Sequence, residues 1–126
     1  MIEFVGFNKL LGVRLVEWTP KQAVLELTIR PELHNRSGIL HGGVVASMID
    51  AVGGFAGGYT GEPGRIRPAL TLSLTTSYTG QATGGVVRAT ARKRGGGRQI
   101  FVATVEVADA DGQVIAVGEG TYRYRD

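Results

Sequence analysis

The stretch from Gly42 to Gly58 constrains this chain more than any other, because every residue in it is apolar or small except Ser47 and Asp50. Such a pattern predicts a helix buried on most sides, so the remaining chain has to wrap around it. Asp50 is its single charge. An ionised carboxylate removed from water without a partner costs several kcal/mol, so it is normally paired, shifted in pKa, or turned toward a polar cavity where chemistry occurs. Gly53, Gly54, Gly57 and Gly58 each disfavour a helix interior by roughly 1 kcal/mol relative to alanine, which makes packing, not propensity, the force that holds this helix. One or two turns from Asp50 lie Gly43, Ala46, Ser47, Gly54 and Gly57, a ridge with little side-chain bulk. It admits either tight helix-to-sheet packing or the close approach of another backbone or a ligand.

The flanking segments supply the wrapping. Phe4, Phe7, Leu10 and Leu11 stand at helical spacing before Gly12, so residues 2 to 11 are expected to form a short amphipathic helix with a docked apolar face. Residues 13 to 18 and 22 to 30 read as a hairpin across Thr19-Pro20-Lys21. A loop from Pro31 to Leu40 leads into the central helix, and a Gly-, Pro- and Arg-rich segment, 59 to 68, leads out. Four longer strands follow at about 69 to 79, 85 to 94, 99 to 109 and 113 to 124, joined by turn-forming stretches short enough for antiparallel neighbours. This predicts a four-stranded meander. Leu70, Leu72 and Leu74 alternate with Thr71, Ser73 and Thr75, which places the three leucines on one face. The expected fold class is α+β, a strongly curved antiparallel sheet around one long hydrophobic helix, in a single domain spanning 1 to 126.

Composition excludes several functions. The absence of cysteine removes disulfides, thiolate nucleophiles and Cys-based zinc sites, and fits a reducing compartment. No run approaches the ~18 apolar residues of a membrane span, and Met1-Ile2-Glu3-Phe4 lacks the features of a signal peptide, so a cytoplasmic protein is expected. Net charge is +3, with Arg88, Arg92, Lys93, Arg94 and Arg98 clustered. The cluster is not interleaved with stacking aromatics, and aromatics make up only 7% of the chain, so nucleic acid is not an expected partner.

Chemistry concentrates where the loop meets the helix. Gly42 and Gly43 stand at the helix N-terminus, where backbone N–H groups lack intrahelical acceptors and can hold a developing oxyanion. The loop before them carries Asn35 and both histidines, His34 and His41. Metal binding by His34, His41 and Asp50 lacks a recognised ligand spacing, and no metal is expected. A triad of Ser47, His41 and Asp50 is disfavoured because Ser47 and Asp50 share one helix, with no separate element to orient His41 between them.

His34-Asn35, Gly38, His41-Gly42-Gly43 and Asp50, in that order and spacing, resemble the signature of hotdog-fold acyl-CoA thioesterases of the phenylacetate-degradation type, within the broader 4-hydroxybenzoyl-CoA thioesterase group. The similarity spans nearly the whole chain. It implies that Asp50 acts as nucleophile or as base for water, that the Gly42 N–H polarises the thioester carbonyl, that Asn35 places the thioester or the water, and that His41 and Gly43 shape the same pocket. Thr71 matches a strand Ser or Thr that in some members orients water from the facing subunit. Arg94 and Arg98 fall where basic residues often meet the phosphates of coenzyme A. No cofactor is implied beyond the coenzyme A of the substrate. The chain departs from the family after Tyr78, where Thr79-Gly80-Gln81 stands in place of a frequent proline.

Spacing adds a separate expectation. Asp50 lies two helical turns, about 12 Å at 1.5 Å per residue, from the donors of its own chain. A carbonyl held at Gly42 is therefore expected to meet Asp50 of another subunit, which makes a homo-oligomer, a dimer or dimer of dimers, the working unit. A non-catalytic acyl-CoA-binding module and a dehydratase or hydratase of the same architecture are the rival readings.

Overall fold

The computed structural model describes residues 2–126. The elements run α1 (Gly6–Leu11), β1 (Arg14–Thr19), β2 (Gln22–Thr28), a 3-10 turn (Pro31–Leu33), α2 (Gly42–Gly57), β3 (Ala69–Tyr78), β4 (Val86–Gly96), β5 (Ile100–Ala108) and β6 (Val114–Tyr124). All strand pairs are antiparallel, in the order β1-β2-β4-β5-β6-β3. Among the described residues no helix is long and apolar enough to cross a membrane.

The sheet curls around α2 as the pattern required. Ala23, Leu25 and Leu27 of β2, Val87, Ala89 and Ala91 of β4, and Phe101, Ala103, Val105 and Val107 of β5 form its buried inner face. They meet Val44, Val45, Met48, Ile49, Val52, Phe55 and Ala56 of α2. Small residues on the middle strands let the helix sit close. A Cβ on Gly53 would lie 2.8 Å from Cζ of Tyr122, and one on Gly57 would overlap the Phe101 ring. Sheet packing therefore accounts for those two glycines. Gly54 is different, because a Cβ there would meet only Tyr122 at 3.9 Å, an ordinary contact.

Aromatic side chains also tie the helix backbone to the sheet. Trp18 Nε1 donates to the Phe55 carbonyl (2.8 Å), the Tyr124 hydroxyl to Gly57 (2.6 Å) and the Tyr122 hydroxyl to Asp50 (3.0 Å). These bonds occupy carbonyls in a helix whose glycines favour fraying.

Three expectations are corrected. The four C-terminal strands are not one meander: β4, β5 and β6 are, but β3 pairs with β6 and β4 pairs with β2. The connection after β3 crosses the end of the helix instead of turning back, and it is anchored there by the Leu40 N–H on the Ala82 carbonyl (2.8 Å), with Ala82 buried. The three leucines do not share a face. A bulge between Thr71 and Ser73 shifts the register, so Leu70 opposes outward-facing Arg123 while Thr71, Leu74 and Tyr78 oppose inward-facing Tyr122, Gly120 and Ala116. The opening helix is shorter than expected and its face is not docked: Phe7 and Leu10 are exposed, and only Leu11 is buried. Phe4, outside the helix, packs edge-on against Phe55.

The helix is also less enclosed than its composition implied. The sheet covers one side, while Ala46, Ser47, Asp50, Ala51 and Gly54 remain part-exposed on the other. Beside this open face runs β3, an edge strand with exposed Leu70, Leu72 and Tyr78.

Candidate active site

At the start of α2 one backbone donor is left over. The His41 carbonyl accepts from Val44 N (3.0 Å) and Val45 N (3.4 Å), closing the first turn. Nδ1 of His41 accepts from Gly43 N (2.8 Å), an N-cap made by a histidine, which places the proton of the neutral ring on Nε2. The Gly42 N–H has no acceptor among the described residues. Of the two glycine donors expected for an oxyanion, Gly43 is thus occupied within the chain and Gly42 is available, at the positive end of the helix dipole.

Asn35 is fixed by its own loop. Its side-chain oxygen accepts from Ser37 N (2.9 Å) and Ile39 N (3.2 Å), and its backbone N–H donates to Ile39 O (2.7 Å). That commits the amide oxygen and leaves the NH2 as the functional end, a donor. His34, through Nε2, donates to the Thr83 carbonyl (3.0 Å) and braces the loop against the β3–β4 connection. Asn35, Gly42 and Tyr78 line one notch of about 190 Å³, together with Ile39, Gln81 and Ile115. That is smaller than the ~300 Å³ at which pockets for ligands of moderate size begin, and a second hollow of about 600 Å³, lined by His34, Asn35, Arg36, Ser37 and His41, adjoins it.

Asp50 forms a second cluster. Its Oδ1 accepts from the Thr71 hydroxyl at 2.5 Å, a charge-assisted bond that fixes the carboxylate and leaves Oδ2 uncommitted. Below it, the Tyr122 hydroxyl donates to the Asp50 backbone carbonyl. Burial, and secondarily the charge on Asp50, pushes the Tyr122 phenol well above its ordinary value of 10.0. Tyr122 is therefore a neutral donor that holds the helix, not a second base. Ser47 donates to the Gly43 carbonyl (2.7 Å), back-bonded within its own helix, which argues against a nucleophilic role.

The predicted residues consequently fall into three groups. Asn35, His41, Gly42 and Gly43 come together at the helix N-terminus, and Asp50 meets Thr71 two turns away. Arg94 and Arg98 lie elsewhere in the chain: Arg94 bonds Thr104 on the outer sheet face (2.8 Å), and Arg98 sits in the β4–β5 turn, its carbonyl accepting from Arg67 (3.3 Å). Two side chains were missed, Ser47 as a helix brace and Tyr78. The Tyr78 hydroxyl donates to the Gly42 carbonyl at 2.6 Å. Strict alternation sets residues 71 and 78 on opposite faces, and only the bulge brings both to the helix, so the sequence carried no signal for it.

Residues 37–116 match the model of the thioesterase superfamily. The chain belongs to the thioesterase superfamily. Its curved sheet and central helix are the hotdog fold of that superfamily, and it is a thioester hydrolase. A conserved protein of Pseudomonas aeruginosa superposes with a TM-score of 0.85 at 30% identity, covering 96% of this chain and 94% of that one. The Escherichia coli PaaI protein from the phenylacetic acid degradation operon superposes at 0.83 with 22% identity, covering 94% and 83%, a likeness of fold. Mouse acyl-coenzyme A thioesterase 13 is 28% identical over 124 residues, 96% of this chain and 86% of its own.

Proposed function

We propose that this thioesterase hydrolyses acyl-CoA, the acyl group being an aryl or fatty acid, at sites shared between two copies of the chain. The observation that carries the reading is the separation of two complementary half-sites on one helix. One is the Gly42 N–H, without an acceptor among the described residues and lining one notch with Asn35; the other is the part-exposed carboxylate of Asp50, held by Thr71. At 1.5 Å per residue they lie about 12 Å apart along the axis, too far to act on one carbonyl carbon. Both lie along the open side of α2, next to the exposed apolar edge of β3. Pairing that edge with a second copy would shield it and bring each half-site toward its complement.

In such a site the thioester oxygen accepts from Gly42 of one chain and Asn35 helps to place the group. Asp50 of the other chain takes the proton from an attacking water, or attacks the carbonyl itself before water releases the acid. The C–S bond breaks, and the thiolate of coenzyme A leaves and is protonated. His41 shapes the pocket while capping Gly43, and Thr71 orients Asp50. Arg94, on the outer sheet face, and Arg98, in the β4–β5 turn, are proposed contacts of the coenzyme A phosphates on the ground of the family resemblance. No metal or further cofactor takes part, and a cytoplasmic location fits the cysteine-free composition.

A hydrolysis screen over aryl, short-chain and long-chain acyl-CoA, following release of thiol, tests the reading. Turnover that falls at least about 10²-fold in Asp50→Asn supports it. Undiminished turnover in that folded variant would remove Asp50 from the chemistry.

A further inference from the structure

We infer that Tyr78 is a positioning residue for the oxyanion donor. The inference rests on the thioesterase reading above and extends it to a side chain that the signature does not include. The free N–H belongs to the His41–Gly42 peptide, whose carbonyl end is fixed by the first helical turn. The next peptide, Gly42–Gly43, is fixed at both ends, its N–H by His41 Nδ1 at 2.8 Å and its carbonyl by the Tyr78 hydroxyl at 2.6 Å. Gly42 N is the single donor between these anchors, so its direction is set by how firmly they hold.

Two of the anchors come from the helix's own first residues, which move with it. Outside the helix, the Leu33 carbonyl in the preceding turn holds the His41 N–H (2.8 Å), and Tyr78 supplies the anchor from the sheet. Its ring also lies close over Gly42: a Cβ there would stand 3.2 Å from Cζ and 3.3 Å from Cε1, so a side chain at 42 would press on the ring. The ring is half-exposed and walls the notch that holds Asn35 and Gly42, next to the place a bound carbonyl would occupy. Tyr78 thus fixes the donor against β3, the strand that also carries Thr71 to Asp50. One edge strand aligns both half-sites. A chain in which β3 shifts loses the aim of both together.

Tyr78→Phe removes one oxygen and keeps the ring. Loss of a whole oxyanion donor costs about 10²- to 10³-fold in turnover, so loosening the donor without removing it is expected to cost about tenfold in kcat, with KM within about twofold. By NMR, the Gly42 carbonyl carbon and the Gly43 amide of Tyr78→Phe should shift from their wild-type positions, while the thermal midpoint stays close to wild type. Introduced into Gly42→Pro, which already lacks the N–H, Tyr78→Phe should lower kcat no further. Unchanged kcat, unchanged Gly42 and Gly43 resonances, or a full additional loss in the Gly42→Pro background each overturn the inference. Asp50→Asn, assayed in parallel, separates the two failures. If it stays active, the reading of the site falls; if it is inactive while Tyr78→Phe matches wild type, only the role of Tyr78 falls.

Discussion

Gly53 and Gly54 are adjacent in α2, yet alanine at the two positions should shift stability in opposite directions. Both substitutions gain about 1 kcal/mol of helix propensity. At Gly54 little opposes the gain, since the new methyl meets only Tyr122 at 3.9 Å. At Gly53 the methyl falls 2.8 Å from Cζ and 3.1 Å from Cε2 of Tyr122, and the ring has no room to yield. It is buried, stacks on Phe101 with centroids 4.9 Å apart, and bonds the Asp50 carbonyl. Overpacking costs about 1 to 3 kcal/mol, and a buried hydrogen bond broken by displacement of the ring roughly 1 to 3 more. Net of propensity, Gly53→Ala should lose about 3 kcal/mol, or about 10 °C in Tm, while Gly54→Ala gains up to about 1 kcal/mol. Urea denaturation with a common m-value measures both. A Gly53→Ala protein as stable as Gly54→Ala would show that Tyr122 is not locked against the helix, and the account of how Asp50 is held would fail with it.

Other consequences are directly measurable. Thr71→Val should reduce kcat about tenfold with little change in stability, because it removes the bond to Oδ1 and leaves Asp50 in place; equal kcat would deny Thr71 a part in orienting the carboxylate. Tyr122 keeps its proton in the fold at pH values where the unfolded chain has lost it, so its contribution is complete below about pH 10 and declines as pH rises above that. Tyr122→Phe should therefore lose less stability than wild type between about pH 9 and about pH 11, in denaturant midpoints taken across that range. Gly54→Ala, more stable than wild type, should still turn over more slowly if a second chain or the substrate passes close to the Asp50 face. Unaltered turnover would favour an open surface there.

What the sequence revealed follows from how local each signal was. The α2 boundaries, the hairpin and the strand positions were readable because periodicity and turn residues act within a few positions. Strand order was not, because a connection of Gly80-Gln81-Ala82-Thr83-Gly84 serves a tight return as well as a crossing, and the deciding contact, Leu40 with Ala82, is long-range. The bulge after Thr71 was equally hidden, and with it the pairing of Thr71 and Tyr78 on one face. Asn35, Gly42 and Asp50 stood out from composition and motif. The separation of Gly42 from Asp50 along α2 was anticipated by helical rise alone, whereas the capture of Gly43 by His41, which singles out Gly42, required the rotamer of one ring.

The shared site is tested most directly by complementation between two inactive chains. Asp50→Asn removes the carboxylate. Gly42→Pro removes the donor while keeping the helix start: proline is tolerated at the first helical position, His41, at φ −61 and ψ 133, already has the extended conformation that a residue before proline requires, and the new Cβ, 3.2 Å from the Tyr78 ring, meets a side chain that is half-exposed and can move aside. Each parent should be nearly inactive alone. After unfolding and refolding an equal mixture, about half of the dimers are mixed, and each mixed dimer contains one site with both groups intact, so about one quarter of wild-type activity should return. Activity that stays at the level of the parents, in a mixture shown to contain heterodimers, would contradict sites built from Gly42 of one chain and Asp50 of another.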